Sequence, residues 1–410
     1  MRVLLRQGVV LLIFLGLAGC QSLIYYGHAA SGQIRLMQSR QPVDEVLARL
    51  RTQRSDNRSE NQPGNEDTDL LYRRLVFTQE VLDYADKSLD LPAGGRYRTY
   101  VELDRPYVVW NLFAAPTLSL QPHRWCYPIV GCAPYRGFFS EARAERDARR
   151  LQAEEYEVYL GGVAAYSTLG WFDDPLLSTF IRWPEPQLAR LLFHELAHGV
   201  VWVQDDVAFN ESFATFVGRQ GAAAWFQDRG DDRDLSRYEA DLHGWQRLLA
   251  LLRAAREELA FVYESEQSDA RKFVGKGQIL GAVRACYAEQ REAFGGGRHD
   301  AMMASLNNAL LVSLATYQDL VPAFAVLFAE QGGDWSDFFS AVQELARLTP
   351  EQRLARLRVS ADDQIAEGRD DNSADEVQCE ALTNHGFYRE APGAVDDDVG
   401  GSSHRQHESA

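Results

Sequence analysis

Apolar residues recur at helical spacing through most of the chain, broken by short polar interruptions. Residues 21–50, which include "GQIRLMQSRQPVDEVLARL", predict a helix. Residues 51–69, "RTQRSDNRSENQPGNEDTD", carry almost no apolar side chain and predict a solvated loop. The helical stripe returns in "LLYRRLVFTQEVLDYADKSL" and stops before Pro92. The runs "RYRTYVEL" and "PYVVWNLFAAP" read as strands, and "FFSEARAERDARRLQAEEY" as a helix with one charged face. A further strand is expected in "EVYLGGVAAYSTLGWF", with Gly161 and Gly162 marking a turn or bulge. After the connecting segment "DDPLLSTFIRWPEP", two helices are expected, from Pro186 to about Val203 and from Asn210 to about Gln220. Helical patterning then runs from Tyr238 to about Phe294 with a break near "ESEQSD". Another helix pair follows, in "DAMMASLNNALLVSLATYQDLVPAFAVLFAEQ" and "DWSDFFSAVQELARL". The pattern predicts a mainly α fold (α+β) with a small β-sheet and no internal repeat.

The ends of the chain read differently. Arg2 and Arg6 precede the apolar run "GVVLLIFLGL", which is too short to span a bilayer, and "LAGC" follows, ending at Cys20. This is the pattern of a signal segment over residues 1–19. It resembles the lipobox of bacterial lipoproteins, which implies that Cys20 carries the lipid. Gln21 after it implies the outer membrane, facing the periplasm. A plain secretory signal cleaved near Ala18 is the alternative. The catalytic domain is then expected over 20–358. The acidic tail over 359–410 is too poor in large apolar side chains to pack, so its histidines are set aside as ligands.

Composition narrows the function. The chain has 410 residues, 46% hydrophobic and 25% charged, with a net charge of -17. That suits a globular core and disfavours nucleic acid as partner, since phosphate backbones call for clustered cations. Export implies an oxidising compartment. Cys126 and Cys132, in "RWCYPIVGCAPYRG", have the spacing for a small disulfide loop. Cys286, inside a helical pattern, reads as a buried free thiol.

The chemistry concentrates in "LARLLFHELAHGVVWVQDDVAFNESFATF", from Leu188 to Phe216. His194, Glu195 and His198 form an H-E-x-x-H pattern. Residues four apart share a helix face, so both imidazoles can reach one metal ion, and Glu195 stands beside them as a general base. Apolar neighbours such as Leu192, Leu196 and Val201 indicate a buried helix, where histidines and a glutamate need partners. Glu211 opens the next helical pattern. A six-residue extended connection reaches roughly 20 Å, enough to return a second helix to the metal. Glu211 is preferred as third ligand over Asp205 and Asp206, which have no helix to position them. Three protein ligands and a water are the usual arrangement of a catalytic Zn2+ ion.

"HELAH" followed by "NESFA" resembles the gluzincin metallopeptidases. More closely, "AYSTLGWFDDPLLSTF", "FHELAHGVVWVQDDVAFNESFATFVG" and "CYPIVGCAPYRGFF" resemble the predicted-aminopeptidase family of bacterial lipoproteins, over most of the chain from Cys20 to about Arg358. The resemblance implies one zinc ion held by His194, His198 and Glu211, with Glu195 activating water. It implies an edge strand before the site, with Ala165, Tyr166 and Ser167 pairing with peptide substrate. Tyr317 is expected to donate to the oxyanion, with Tyr166 and His243 as alternatives. Many gluzincins brace a histidine with an acid four residues after the third ligand. Here that position is Thr215, so bracing is expected elsewhere, from Asp205 or Asp206. Asp173, Asp174 and Glu157 are unranked candidates for holding a substrate amine, and Asn307 and Asn308 for substrate contact or helix capping.

The reading that emerges is a lipid-anchored zinc peptidase, with aminopeptidase action preferred. An endopeptidase of envelope proteins is the alternative, since only an aminopeptidase needs an anionic wall at the first subsite. A scaffold with a structural metal is the third reading. It is disfavoured because Glu195 would be idle and structural zinc usually has a fourth protein ligand.

Overall fold

The computed structural model describes residues 25–59, 66–127, 131–165, 168 and 173–357. The signal segment, Cys20, Tyr166, Ser167 and the tail from residue 358 lie outside the described residues. The fold is mainly helical with small sheets.

The first expected helix is two. Helix α1 covers 25–38. Pro42 then interrupts the pattern, since proline cannot continue a helix ladder. The chain instead makes the short strand β1 (Gln41–Pro42) before α2 (Val43–Ser59). Helix α2 runs into the stretch predicted to be loop. Arg54 explains part of this extension: it pairs with Asp69 at 2.5 Å and lies over the Tyr72 ring at 4.4 Å, both on α3 (Glu66–Ser88). Arginine and glutamine are also good helix formers without any apolar stripe.

The strands that follow are β2 (Thr99–Val101), β3 (Val109–Pro116), β4 (Trp125–Tyr127), β5 (Gly131–Ala133) and β6 (Tyr135–Phe138). After α4 (Glu141–Ala153) come β7 (Tyr156–Val163) and β8 (Leu176–Leu177). Strands β1, β2 and β8 form one sheet, and β4 and β5 a hairpin closed by the Cys126–Cys132 disulfide. The antiparallel sheet β6–β3–β7 positions the site. Its side chains alternate between faces. Trp110, Leu112, Ala114 and Phe138 pack on Ala144, Ala148 and Leu151 of α4. On the opposite face Phe113 lies between Tyr135 and Tyr159, with ring centroids 5.4 and 6.3 Å away. Gly161 and Gly162 stand inside β7, opposite Asn111 and Trp110, and mark no turn. The reason is room: a Cβ on Gly162 would meet the Tyr107 ring at 2.3 Å.

The rest is helical: α5 (Glu185–Ala197), α6 (Val207–Asp228), α7 (Asp232–Glu264), α8 (Asp269–Glu289), α9 (Asp300–Ala304), α10 (Asn308–Gln318), α11 (Val321–Glu330), α12 (Trp335–Ala346) and α13 over 350–357. The expected break near "ESEQSD" separates α7 from α8. The main core joins α2, α3, α5, α6, α11 and α12 through residues such as Val81, Leu192, Phe213 and Phe338. A second core lies between α7, α8 and α10. Cys286 on α8 is disulfide-bonded, correcting its reading as a free thiol.

Candidate metal and catalytic site

Helices α5 and α6 carry the candidate ligands. Helix α5 ends at Ala197, with His198 as its cap, rather than near Val203. The amides of Gly199 and Val200 fold back onto the carbonyls of Leu196 and Ala197, both at 2.9 Å, which tightens the last turn. Buried Arg96 donates to the Leu196 carbonyl at 3.3 Å, placing a cation at the negative end of the helix. Gly199 leaves it space, since a Cβ there would stand 2.4 Å from Arg96 Nη1. Helix α6 starts at Val207, earlier than expected, because the Asp206 carboxylate caps it by accepting from the Phe209 amide at 3.1 Å. Asn210 ties the connection to α6: its side chain accepts from the Val203 amide at 2.9 Å and donates to the Val203 carbonyl at 2.8 Å.

The ligand atoms of His194, His198 and Glu211 all lie within 4.8 Å of one another. Glu211 Oε2 is 3.4 Å from His194 Nε2 and 3.7 Å from His198 Nε2, and the two rings stand nearly perpendicular at 5.0 Å. Burial pushes His194 down to about 3, helped by Arg190 and Arg219, and His198 down to about 4, against the nearby Glu211 charge. Both rings are therefore neutral at physiological pH, with lone pairs free for a metal. Burial raises Glu211 above the ordinary carboxylate range.

The bracing expected from Asp205 or Asp206 is absent. Asp205 accepts from the Cys132 amide, clasping the disulfide hairpin. Asp206 caps α6 and pairs with Arg353 of α13 at 2.8 Å. His194 is held instead by a hydrogen bond with the backbone of Ala214 on α6. His198 Nδ1 is buried with no partner among the described residues.

Glu195 is buried beside this triangle, with 6% of its surface exposed. Burial drives its proton affinity well up, and the negative charges of Glu211 and Asp174 add to the rise. Two tyrosines close the site. Tyr317, near the end of α10, is raised well above its usual range by burial and by the charges of Glu211 and Glu195. Tyr135, at the start of β6, is raised by the same causes. The α10 turn is anchored to α6, as Ser212 Oγ accepts from the Leu320 amide at 3.3 Å. On the Glu195 side, the buried Tyr97 hydroxyl has no partner among the described residues and feels both Glu195 and Asp174. Its backbone sits in the left-handed region at φ 60, an arrangement that costs energy and clusters at functional sites.

The remaining expected residues separate by position. Ala165 is buried in the main core just past the end of β7, while Tyr166 and Ser167 lie outside the described residues. Strand β7 is an edge strand, and Asn307 covers part of it by donating to the Val158 carbonyl at 2.9 Å. Asn307 also caps α10 through the Leu310 amide. The Asn308 side-chain amide donates to the carbonyls of Pro116, Thr117 and Ser119. Glu157 is committed to Lys276 and to the Asn308 amide. His243 is exposed on α7, and Asp173 is exposed. Of the three acids considered for a substrate amine, Asp174 is the one whose charge reaches Glu195. Its carboxylate accepts from the Thr168 amide and hydroxyl at 2.8 and 3.0 Å.

Sequence reasoning did not find Arg96, Tyr97 or Tyr135. Their only signal is that "GRYRTY" and "APYRG" put aromatic and cationic side chains beside glycines, a cue too common to act on.

A family model described as "Putative aminopeptidase" matches residues 24–357. No curated protein and no solved structure matches the chain.

Proposed function

The chain belongs to the family described as "Putative aminopeptidase", and from that premise we propose that it is a zinc-dependent peptidase of the gluzincin kind, acting on peptide N-termini at a bacterial envelope membrane. The observation that carries the reading is the His194–His198–Glu211 triangle with Glu195 buried against it. Two neutral imidazoles and a carboxylate are a donor set that suits zinc. Three protein ligands leave a position for water or substrate, unlike a closed structural site.

When bound, zinc polarises the scissile carbonyl and lowers the pKa of water to about 7. Glu195 takes the proton from the attacking water and hands it to the departing amine. Its raised proton affinity makes it a stronger proton acceptor than an exposed carboxylate. Tyr317 and Tyr135 stay protonated at that pH and donate to the developing oxyanion. The extended substrate lies along the edge at β7 and the segment Ala165–Ser167 that continues it.

The compartment belongs to the same proposal. The oxidised Cys126–Cys132 pair and the oxidised Cys286 support export. A lipid on Cys20 then holds the enzyme at the outer membrane, facing the periplasm.

The test uses the full chain in neutral detergent, with Glu195→Gln beside it. Mixed peptides, half with free and half with acetylated N-termini, are incubated and their products read by mass spectrometry. Stepwise loss of first residues from free peptides alone is expected. Internal cuts in both sets would make the enzyme an endopeptidase. No Glu195-dependent cleavage, with metal bound, would leave a structural metal site.

A further inference from the structure

A cavity of about 580 Å³ lies between α1, α4 and β6, and its lining is cationic. Arg143, Arg146 and Arg150 project into it from α4, at spacings that share one helix face. Arg35, Arg105 and Arg136 reach it from α1, from the loop before β3 and from β6. Asp147 is the single carboxylate among the lining residues, and Arg136 takes it at 3.2 Å. Arg105 is directed at the main-chain carbonyls of Phe139 and Val108. The side chains of Arg143, Arg146 and Arg150 have neither a hydrogen bond nor an ion pair with any described residue. On the other side of the same helix, Arg149 is paired with Glu145 at 3.5 Å. On α4 the unpaired arginines thus lie on the cavity face, in a chain whose net charge is -17.

Like charges that converge without counter-ions repel one another, and an anion relieves the repulsion. Guanidinium forks match phosphate oxygens in pairs, and at neutral pH a phosphate monoester offers nearly two charges with three acceptor oxygens, a diester a single charge with two. We infer that this cavity is a phosphate-binding site, in which Arg143, Arg146 and Arg150 hold the phosphate group. The volume is that of a small-molecule pocket. Leu36, Leu103 and Phe139 give it an apolar wall against which the body of a phosphate ester can lie. The site is separate from the metal triangle. Along β6, Tyr135 turns to one face of the sheet, and Arg136 and Phe138 turn to the other.

The phosphate can belong to a lipid headgroup or to a soluble molecule, and calorimetry separates the two. The full chain in neutral detergent is titrated with dihexanoyl phosphatidylglycerol, glycerol 3-phosphate and inorganic phosphate, with hexyl glucoside as an uncharged control. The same titrations are run on the triple variant Arg143→Gln/Arg146→Gln/Arg150→Gln and on Arg149→Gln. The expected result is saturable binding of at least one phosphate probe. It should weaken at least tenfold in the triple variant, stay unchanged in Arg149→Gln and fall with added salt. Binding of the lipid alone identifies a headgroup site, and comparable binding of the soluble probes identifies a free phosphate. The inference is overturned if no phosphate probe binds, or if the folded triple variant, checked by circular dichroism, binds as well as the wild type.

Discussion

Gly218 on α6 lies against His194 on α5 with no room for a side chain between them. A Cβ at position 218 would stand 3.1 Å from His194 Cβ and 2.7 Å from the Arg190 carbonyl oxygen. Gly218 follows Glu211 by about two helical turns, so both face α5. The close approach of the helices is what brings the Glu211 carboxylate to the imidazole pair.

Gly218→Ala should therefore force α6 outward at the level that sets the ligand triangle. The contact is with backbone, which cannot swing aside. A loss of about 1–3 kcal/mol in stability is expected, together with weaker zinc binding. Thermal melts and a zinc titration check both effects. An unshifted zinc affinity would show that the triangle does not depend on this contact.

Glu195→Gln should retain the metal and lose peptidase turnover by roughly a hundredfold or more, the scale of general acid–base catalysis. The same change should stabilise the metal-free protein. The folded-state proton affinity of Glu195 is raised above its unfolded value. Its contribution is thus fully present below the unfolded pKa of about 4.5 and lost as pH rises towards the folded one. The glutamine cannot ionise and keeps that stability. Melts of the two metal-free proteins from pH 5 to 8 should diverge with rising pH, and parallel curves would remove this account.

Below the pH at which Glu211 ionises in the metal-free protein, zinc uptake should release a proton from it. The histidines, lowered to about 3 and about 4, are already neutral at pH 7 and release none. Glu211, raised by burial, must ionise to bind. Affinity should then climb with pH from the ordinary carboxylate range upward, until Glu211 ionises without metal. Calorimetry in buffers of different ionisation enthalpy counts the protons.

Tyr317→Phe and Tyr135→Phe should each lower kcat with little change in KM, since a donor to the oxyanion acts in the transition state. A loss of about 10²–10³ is the scale for a single such donor. Two wild-type rates would take the tyrosines out of the mechanism. A rise in KM alone would make them substrate-binding groups.

Cys126→Ser/Cys132→Ser should cost roughly 2 kcal/mol by opening a short loop. The amide of residue 132, which donates to Asp205 at the connection between α5 and α6, survives the change to serine, but the opened hairpin no longer fixes its position. The double variant should bind zinc more weakly than its lowered stability alone predicts, which a titration well below its melting temperature resolves.

How legible all this was depends on distance along the chain. His194, His198 and Glu211 were readable because their spacing on two neighbouring helices fixes their geometry locally. The break between α7 and α8 was readable because "ESEQSD" interrupts an apolar stripe. Asp205 and Asp206 misled because an acid near a histidine reads as its brace, and only the fold shows that they face the hairpin, the α6 cap and Arg353. Gly162 misled likewise, since what demands glycine there is the ring of Tyr107 lying over the strand. Arg96, Tyr97 and Tyr135 meet the site from remote segments, and no local pattern announces them.

The origin of the ligands also sets an order of events. All three come from the single hairpin of α5 and α6, whereas Tyr135 and Tyr317 arrive from strands and helices distant in sequence. Contacts close in sequence form sooner than remote ones. Under the proposed function, a partly folded chain would then capture its metal while the groups proposed to meet the oxyanion are still apart. On that same reading, loading would precede cutting, and a molecule still maturing would not yet attack its neighbours.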